Sequence, residues 1–373
     1  MVFITIVPSP YQRDLFGALA ARREVELDVY YMEAASPDSP WPEKPLRDFE
    51  HILPGRWFEF GAVRSHLNWR LPDVSDADVI VISGITALTS QWLMRRSARG
   101  KRWLFWGERL RGNTGLAGVV QRSLAHPLSR ADGIVGISRA AVDDYRRRFP
   151  DVRQFCIPYH CDLADFLAID RARDKAGPVT FLFCGQMIRR KGIDLLLAAF
   201  DRLVEGGADA SLLLVGREAE LPEVLSTVGS AARARIRYEG FQPPERLAHY
   251  FSVSDVFVLP SRYDGWGVVI NQALGAGLPI ISSDAAGAGQ DFVENGTNGM
   301  CVPAGDAEAL YNAMLTIVSK RELIDQWGAQ SRKKAHELTP EAGAEKWVNV
   351  FADVLRPDRR EAPVELPAMR VSD

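Results

Sequence analysis

Apolar and polar residues are patterned along this chain on two length scales. Short apolar runs such as Phe3–Val7, Val79–Ile82 and Val256–Leu259 have the length of buried strands, and the stretches between them return apolar residues every three or four positions. Repetition of this strand-then-helix unit predicts parallel sheets with helices on both faces. In the first half the pattern predicts strands at Phe3–Val7, Leu27–Tyr31, Val79–Ile82, Trp103–Trp106, Gly133–Ile137 and Phe155–Ile157, and helices at Arg13–Arg22, Thr89–Arg99, Ala117–Ser129 and Arg139–Phe149. Residues 34–76 carry Pro37, Pro40, Pro42, Pro45, Pro54 and Pro72, so that stretch is expected to be irregular.

The polar stretch Asp170–Pro178 ends in Gly-Pro and reads as a linker, after which the pattern restarts. Strands are predicted at Thr180–Cys184, Ser211–Val215, Ile236–Glu239, Val256–Leu259, Ile280–Ser282 and Gly299–Val302. Helices are predicted at Ile193–Glu205, Pro222–Val228, Pro244–Phe251, Val268–Ala276, Gln290–Glu294, Ala307–Ser319 and Arg321–His336. The expected layout is a first doubly wound unit over 1–170, a second over 171–338, an amphipathic stretch over 339–356 that packs back on the first, and a disordered tail over 357–373. Two such units in tandem face each other across a cleft, and ligands of these sheets bind at the carboxyl ends of the strands.

Length and composition agree with this layout. A chain of 373 residues exceeds one ordinary core, and 47% hydrophobic with 25% charged residues is the balance of a globular enzyme. The net charge of −3 argues against a nucleic-acid partner, and no apolar run is long enough to span a bilayer. Because the first residues read as a core strand rather than a leader, a cytoplasmic location is expected. Cys156, Cys161, Cys184 and Cys301 are too scattered for a disulfide framework, and Cys156, His160 and Cys161 lack a fourth ligand at zinc-like spacing, so no metal is assigned. Charge is uneven: residues 91–150 hold thirteen basic against four acidic side chains. These are either solvated helix faces or a patch for anionic lipid headgroups or a phosphate-bearing acceptor.

The densest chemistry lies at 261–279. A strand runs into a loop containing Asp264, Gly265, Trp266 and Gly267, and a helix starts near Val268 and carries Gln272. Glycines let backbone approach a ligand, and Asp264 and Gln272 sit so as to reach one bound molecule from two ends.

This second half resembles family 4 of the retaining glycosyltransferases, a group with two Rossmann-like domains called the GT-B fold. Phe181–Phe200, with Gly185, Gln186, Arg190 and Lys191, is similar to the family's strand, Gly-Arg, spacer, Lys-Gly, helix element. There the arginine and lysine clamp the donor diphosphate; Lys191 matches the lysine, and Gln186 stands where arginine is usual, with Arg189 or Arg190 as neighbours able to compensate. Tyr238–Gln242, including Phe241, resembles the turn that contacts the donor base. Asp264 and Gln272 take the places of the family's two acids, which by resemblance touch the transferred sugar and the ribose. Gly287–Gly299 completes the likeness, with Asp291 where glutamate is common.

In the first half, Ala131–Ser138 and Ile157–Phe166 fit the family's interdomain elements, and the opening loop with Tyr11, Gln12 and Arg13 is the expected acceptor side. Glu108 follows the fourth strand, where many members place a cleft-facing histidine. The resemblance implies a retaining, metal-independent transferase with Lys191, Asp264 and Glu108 at the reaction centre. It would use a UDP or GDP sugar as co-substrate, no further cofactor, and a saccharide or lipid-linked acceptor. The implied setting is bacterial exopolysaccharide, lipopolysaccharide or glycolipid assembly, with peripheral contact to the inner face of the plasma membrane through residues 91–150. The alternatives are a catalytically silent binding protein or scaffold, motivated by Gln186, Asp264 and Gln272, and a nucleotide-sugar epimerase or phosphorylase on the same fold.

Overall fold

The computed structural model describes residues 1–35, 44–60, 63–97, 100–110, 115–171 and 177–356. The tail from Pro357, most of the linker, and Arg99 and Arg111 of the basic region lie outside the described residues. Two parallel sheets organise the chain. The first contains β1 (Val2–Thr5), β2 (Asp28–Tyr31), β3 (Glu50–Ile52), β6 (Val79–Ile82), β7 (Arg102–Gly107), β8 (Gly133–Gly136) and β9 (Gln154–Cys156), in the order β3-β2-β1-β6-β7-β8-β9. A separate antiparallel hairpin, β4 (Gly55–Phe60) with β5 (Val63–Asn68), sits between β3 and β6 in the chain. The second sheet contains β10 (Val179–Cys184), β11 (Ala210–Val215), β12 (Ile236–Tyr238), β13 (Val256–Leu259), β14 (Ile280–Ser283) and β15 (Gly299–Val302), in the order β12-β11-β10-β13-β14-β15.

In each sheet the order reverses direction at one point, between β1 and β6 in the first and between β10 and β13 in the second. Loops diverge there and leave a crevice at the carboxyl ends of the strands. The central strands are buried along their whole length, as sheets covered on both faces require: every residue of β1, β6, β13 and β14 is buried.

Residues 34–76 are not irregular throughout. They supply the edge strand β3 and the β4–β5 hairpin, whose residues are exposed often enough to hide the alternation that marks a half-buried strand. The stretch read as one helix over Thr89–Arg99 is an α-helix over Leu88–Trp92 followed by a wider π turn over Leu93–Ser97. The helix expected over Ala117–Ser129 stops at Ala125, because Pro127 lacks an amide hydrogen and diverts the chain into a tight turn over His126–Arg130.

The last helix, Pro340–Leu355, is capped by Thr339, whose side chain accepts from the amide of Ala342. It leaves the second unit and packs on the Pro10–Ala20 helix and the first sheet. Trp347 is fully buried, with its ring 5.0 Å from Phe3 and 5.4 Å from Trp106 in edge-on contacts. Removing about 200 Å² of aromatic surface from water is worth on the order of 5 kcal/mol.

Beside this helix, the His160 ring fills the space that a side chain at Gly343 would need: a Cβ there would fall 2.6 Å from the ring. Burial, reinforced by the charge of Lys346, pushes the His160 pKa down to about 3. The neutral form is therefore the folded form. The unfolded chain takes up a proton below about pH 6.5 that the folded chain refuses until about pH 3, so stability falls with acidification across that window. From pH 6.5 to 5 the loss from this one group is expected to be roughly 1.5–2 kcal/mol. Urea midpoints at the two pH values check this: the difference shrinks in His160→Gln, and an unchanged difference refutes the assignment.

Candidate active site in the cleft between the two units

A cleft of about 630 Å³ opens between the carboxyl ends of the two sheets. Its walls come from loops at the switch points. From the first unit Tyr11 follows β1 and Glu108 follows β7; from the second Gly185 and Gln186 follow β10, Gly216 and Arg217 follow β11, and Asp264 follows β13. Strand register sets two of these loops side by side. β10 and β11 pair from Val179 with Ala210 to Cys184 with Val215, so Gly185 and Gly216 are the next residues in register. Both take positive φ, and a Cβ on Gly216 would collide with the backbone of Gly185. Only glycine allows two backbones this close.

Lys191 and Asp264 meet at the floor of the cleft. The Lys191 ammonium donates to Asp264 Oδ2, and the two side chains keep 19% and 12% of their exposure. Two local devices hold the pair. Lys191 ends a short turn (Arg189–Lys191) closed by Gly192 in the left-handed region, and the Asp264 amide donates to the Ala285 carbonyl at 2.9 Å in a bridge to the 285–287 loop. Gln272 is one of the cleft-lining residues, on a helix that starts at Val269, with Val268 at its cap. Gly267 and Val268 line the same wall. Trp266 touches the cleft but is 2% exposed, and its indole N–H donates to Asn271 Oδ1 at 3.1 Å, so it is chiefly a packing residue. Phe241 stands half-exposed at the rim.

Glu108 reaches this floor from the opposite unit. Its carboxylate occupies the space a side chain at Gly265 would take, so glycine at 265 is what admits an acid from the first unit to the Asp264 loop. Gly265 itself does not line the cleft. Tyr11 is close by. Burial, with Glu108 and Asp264 as further causes and a Ser9 hydrogen bond opposing them, holds its phenol up at about 12, and its ring lies 4.8 Å from Tyr159. At ordinary pH it is therefore a neutral hydroxyl among carboxylates.

Gln12, Arg13, Arg189 and Arg190, all expected at the ligand, turn to other partners. Arg13 turns inward, donating from Nε to Glu50 Oε1 at 2.8 Å and from Nη2 to Glu50 Oε2 at 2.6 Å, and its site is buried. Gln12 is buried, accepting from the Ser9 hydroxyl at 3.0 Å. Both are structural residues of the Pro10–Ala20 helix, because its inward face is the one they occupy; only Tyr11 of that trio faces the cleft. Arg190 donates to the Tyr263 carbonyl at 3.1 Å and lies off the wall, while Arg189 pairs with Glu223 at 2.9 Å. Neither arginine lines the cleft beside Gln186.

Other residues in the cleft escaped the sequence reading. Arg217 brings a second cation to the wall carrying Lys191, and its signal was available: it follows the glycine after β11 as Gln186 follows the glycine after β10. Asp14, Asp162 and Asp165 line the first-unit side; Asp14 Oδ2 accepts from the Asp162 amide at 3.0 Å, and burial raises its pKa. Lys44 and Glu245 pair across the mouth at 3.4 Å. Farther back the units are joined by the Asn271 side chain, donating to the Tyr159 carbonyl at 2.7 Å, and by Arg139, which grips Asp291. Among the described residues, no group of three or more His, Cys, Asp or Glu side chains is placed to hold a metal ion. Five of the basic residues of 91–150 are engaged in ion pairs: Arg139 at Asp291, Arg147 and Arg148 with Asp144, Arg146 with Asp143, and Arg102 with Asp132.

Two facing Rossmann-like units with a cleft at their switch points define the GT-B class. Structural neighbours share it along nearly the whole chain: sucrose-phosphate synthase from Thermosynechococcus elongatus superposes with a TM-score of 0.68 at 21% identity, covering 95% of this chain and 99% of that one. Anabaena Alr3699/HepE in complex with UDP gives 0.67 at 14% identity, over 95% and 100%. Residues 178–320 match the family described as glycosyl transferases group 1. Among curated relatives, the lipopolysaccharide core biosynthesis glycosyltransferase LpsE of Rhizobium meliloti is 32% identical over 159 residues, 42% of this chain and 45% of that protein. The chain spans about half the length, or less, of the first curated relatives it matches.

Proposed function

We propose that this protein is a retaining, metal-independent glycosyltransferase that moves a sugar from a UDP or GDP sugar to a hydroxyl of a saccharide or lipid-linked acceptor, in polysaccharide, lipopolysaccharide or glycolipid assembly. The observation that carries the reading is the Lys191–Asp264 pair on the cleft floor, with Glu108 set against it from the other unit. In this reading the donor diphosphate draws the Lys191 ammonium away from Asp264, and Asp264, so released, accepts hydrogen bonds from the transferred sugar. Arg217 supplies the second positive charge that Gln186 does not. Charge builds on the diphosphate as the bond from the anomeric carbon to its oxygen breaks, and fixed cations at that point favour the transition state. The acceptor oxygen bonds to the same face of the anomeric carbon while its proton passes to the departing phosphate oxygen, which leaves the configuration retained. Glu108 and Tyr11 lie where sugar hydroxyls would be held. UDP bound by a structural neighbour and the lipopolysaccharide core biosynthesis role of a curated relative support the substrate classes.

A thermal-shift panel of UDP, GDP and ADP sugars, followed by assay of nucleoside diphosphate release, tests the proposal. One donor family is expected to raise the unfolding midpoint by mass action and to yield free diphosphate when acceptor is supplied. Stabilisation without release would favour a silent binding protein, and interconversion of the sugar without release an epimerase. Gln272→Glu, which converts a neutral ribose contact to a charge-assisted one, is expected to keep or tighten donor affinity in calorimetry. Complete loss would show that the amide itself is required.

A further inference from the structure

The two acids that meet across the cleft floor, Glu108 and Asp264, are each tied to a helix behind the cleft, and those two helices are joined by one pair of side chains. Glu108 is held through its backbone carbonyl, which accepts from the Tyr145 hydroxyl at 2.7 Å. Tyr145 is fully buried on the Arg139–Arg148 helix, with its ring 6.1 Å from Phe105 in an edge-on contact. The Asp264 loop is held by the start of the Gly287–Phe292 helix: the Gly287 amide donates to the Asp264 carbonyl at 3.2 Å and the Ala288 amide to the Trp266 carbonyl at 2.8 Å. A Cβ on Gly287 would fall 2.5 Å from the Gly265 carbonyl oxygen, so glycine is what lets the helix start this close to the loop.

The other ends of the two helices cap each other across the units. At the start of the Arg139–Arg148 helix, the Ser138 side chain accepts from the Ala141 amide at 3.1 Å, and Asp291 Oδ2, from the second unit, accepts from the Arg139 amide at 2.9 Å. In return the Arg139 guanidinium donates from Nη2 to the carbonyls of Gln290 at 3.1 Å and Asp291 at 2.8 Å, in the last turn of the Gly287–Phe292 helix, and from Nε to Asp291 Oδ1 at 3.1 Å. A carboxylate at a helix start and a guanidinium at a helix end both satisfy open backbone groups and complement the helix dipoles. The Arg139 side chain is 69% exposed, so its attraction to Asp291 adds little to stability by itself. Its effect is geometric.

We propose that Arg139 and Asp291 are a positioning pair that fixes the separation of Glu108 from Asp264. Neither lines the cleft. The contacts instead form a closed circuit, from Glu108 through Tyr145, Arg139, Asp291 and Gly287 to the Asp264 loop, which returns to Glu108 where its carboxylate packs on Gly265. A helix is a stiff strut, and the six residues from Arg139 to Tyr145 span about 9 Å, so a shift at the pair reaches Glu108 through a rigid element. The kinetic consequence rests on the proposed transfer reaction, in which a misplacement of about 1 Å between groups on opposite walls costs up to about 10²-fold in rate.

Arg139→Gln and Asp291→Asn test this in the full chain. Each is expected to lower kcat about tenfold or more while calorimetric donor affinity stays within about twofold, because Lys191, Arg217 and Gln272 all belong to the second unit. Asp291→Glu keeps the charge and is expected to regain most of kcat, and the double variant Arg139→Gln with Asp291→Asn should be no worse than the poorer single one. Hydrogen exchange gives a readout without turnover: the segments 103–110 and 263–268 are expected to exchange about fivefold faster or more in both variants, at an unfolding midpoint within a few degrees of the parent. A parent protein that shows this exchange difference but transfers no sugar would remove the proposed reaction and leave the positioning pair standing. Unchanged exchange in both segments, a loss carried wholly by donor affinity, or a drop in the unfolding midpoint large enough to account for the lost turnover would overturn the proposal.

Discussion

Lys191→Ala is expected to lower kcat/KM for transfer by about 10²–10³, or roughly 2.7–4 kcal/mol of transition-state stabilisation, while leaving the unfolding midpoint nearly unchanged. The size follows from what the ammonium does in the proposed reaction: it is the cation on the cleft floor that meets the leaving diphosphate, in a place fixed by the turn that Gly192 closes. The small stability effect follows from its surroundings. Asp264 loses a partner, but its carboxylate keeps some exposure and faces an open cleft into which water can move. Lys191→Arg keeps the charge and is expected to recover part of the activity, with a loss concentrated in kcat because the longer fork does not place its charge at the same point. Near-normal turnover in Lys191→Ala would remove the diphosphate role and with it the central claim about this cleft.

Arg13→Ala is expected to do the opposite, costing about 3–5 kcal/mol of stability in the first unit while donor affinity persists in protein that remains folded. The Glu50 side chain is completely buried and accepts from Arg13, from the Tyr31 hydroxyl at 2.8 Å and from the Arg47 amide at 2.8 Å. Burial works to raise the Glu50 pKa, but these donors, Arg13 first, more than offset it and hold the carboxylate below its usual range. Taking away Arg13 leaves an ion in the interior with its main partner gone. Because the folded pKa is depressed, the contribution of Glu50 is present above the unfolded carboxylate pKa and disappears as pH falls through the folded one, so the deficit of Arg13→Ala should narrow in acid. Urea midpoints at neutral and acidic pH measure this. The double variant Arg13→Met with Glu50→Leu should recover much of the loss, since an apolar pair of similar volume has no charge left unpaired. An Arg13→Ala protein of full stability that fails only in acceptor use would restore the acceptor role the opening loop first suggested.

These two residues mark where a sequence stops being legible. The strand-helix rhythm is a local property, so the α/β class emerged from it, with strands such as Val79–Ile82 and Val256–Leu259 in place to the residue. The glycines after β10 and the Lys-Gly pair are likewise local signals. What a single sequence does not carry is direction across space. Arg13 and Tyr11 are two positions apart on one helix, and only the packing of the Pro10–Ala20 helix on the first sheet decides that one meets Glu50 and the other the cleft. Glu108 was legible as an acid after a strand, but its position against Gly265 needed both units. The proline-rich stretch misled for a different reason: prolines at 45 and 54 flank regular segments rather than interrupt them, since β3 begins at Glu50 and β4 at Gly55.

The return of the Pro340–Leu355 helix to the first unit has a consequence for the order in which this protein is made. Trp347 closes over Phe3 and Trp106, side chains that leave the ribosome more than two hundred residues earlier. At a synthesis rate of about 5–20 residues per second, that apolar face waits on the order of ten seconds or more for its cover. The second unit, whose sheet is contained within 179–302, has no such wait. The usual sequence of domain maturation is thus reversed: the half that is translated first is completed last.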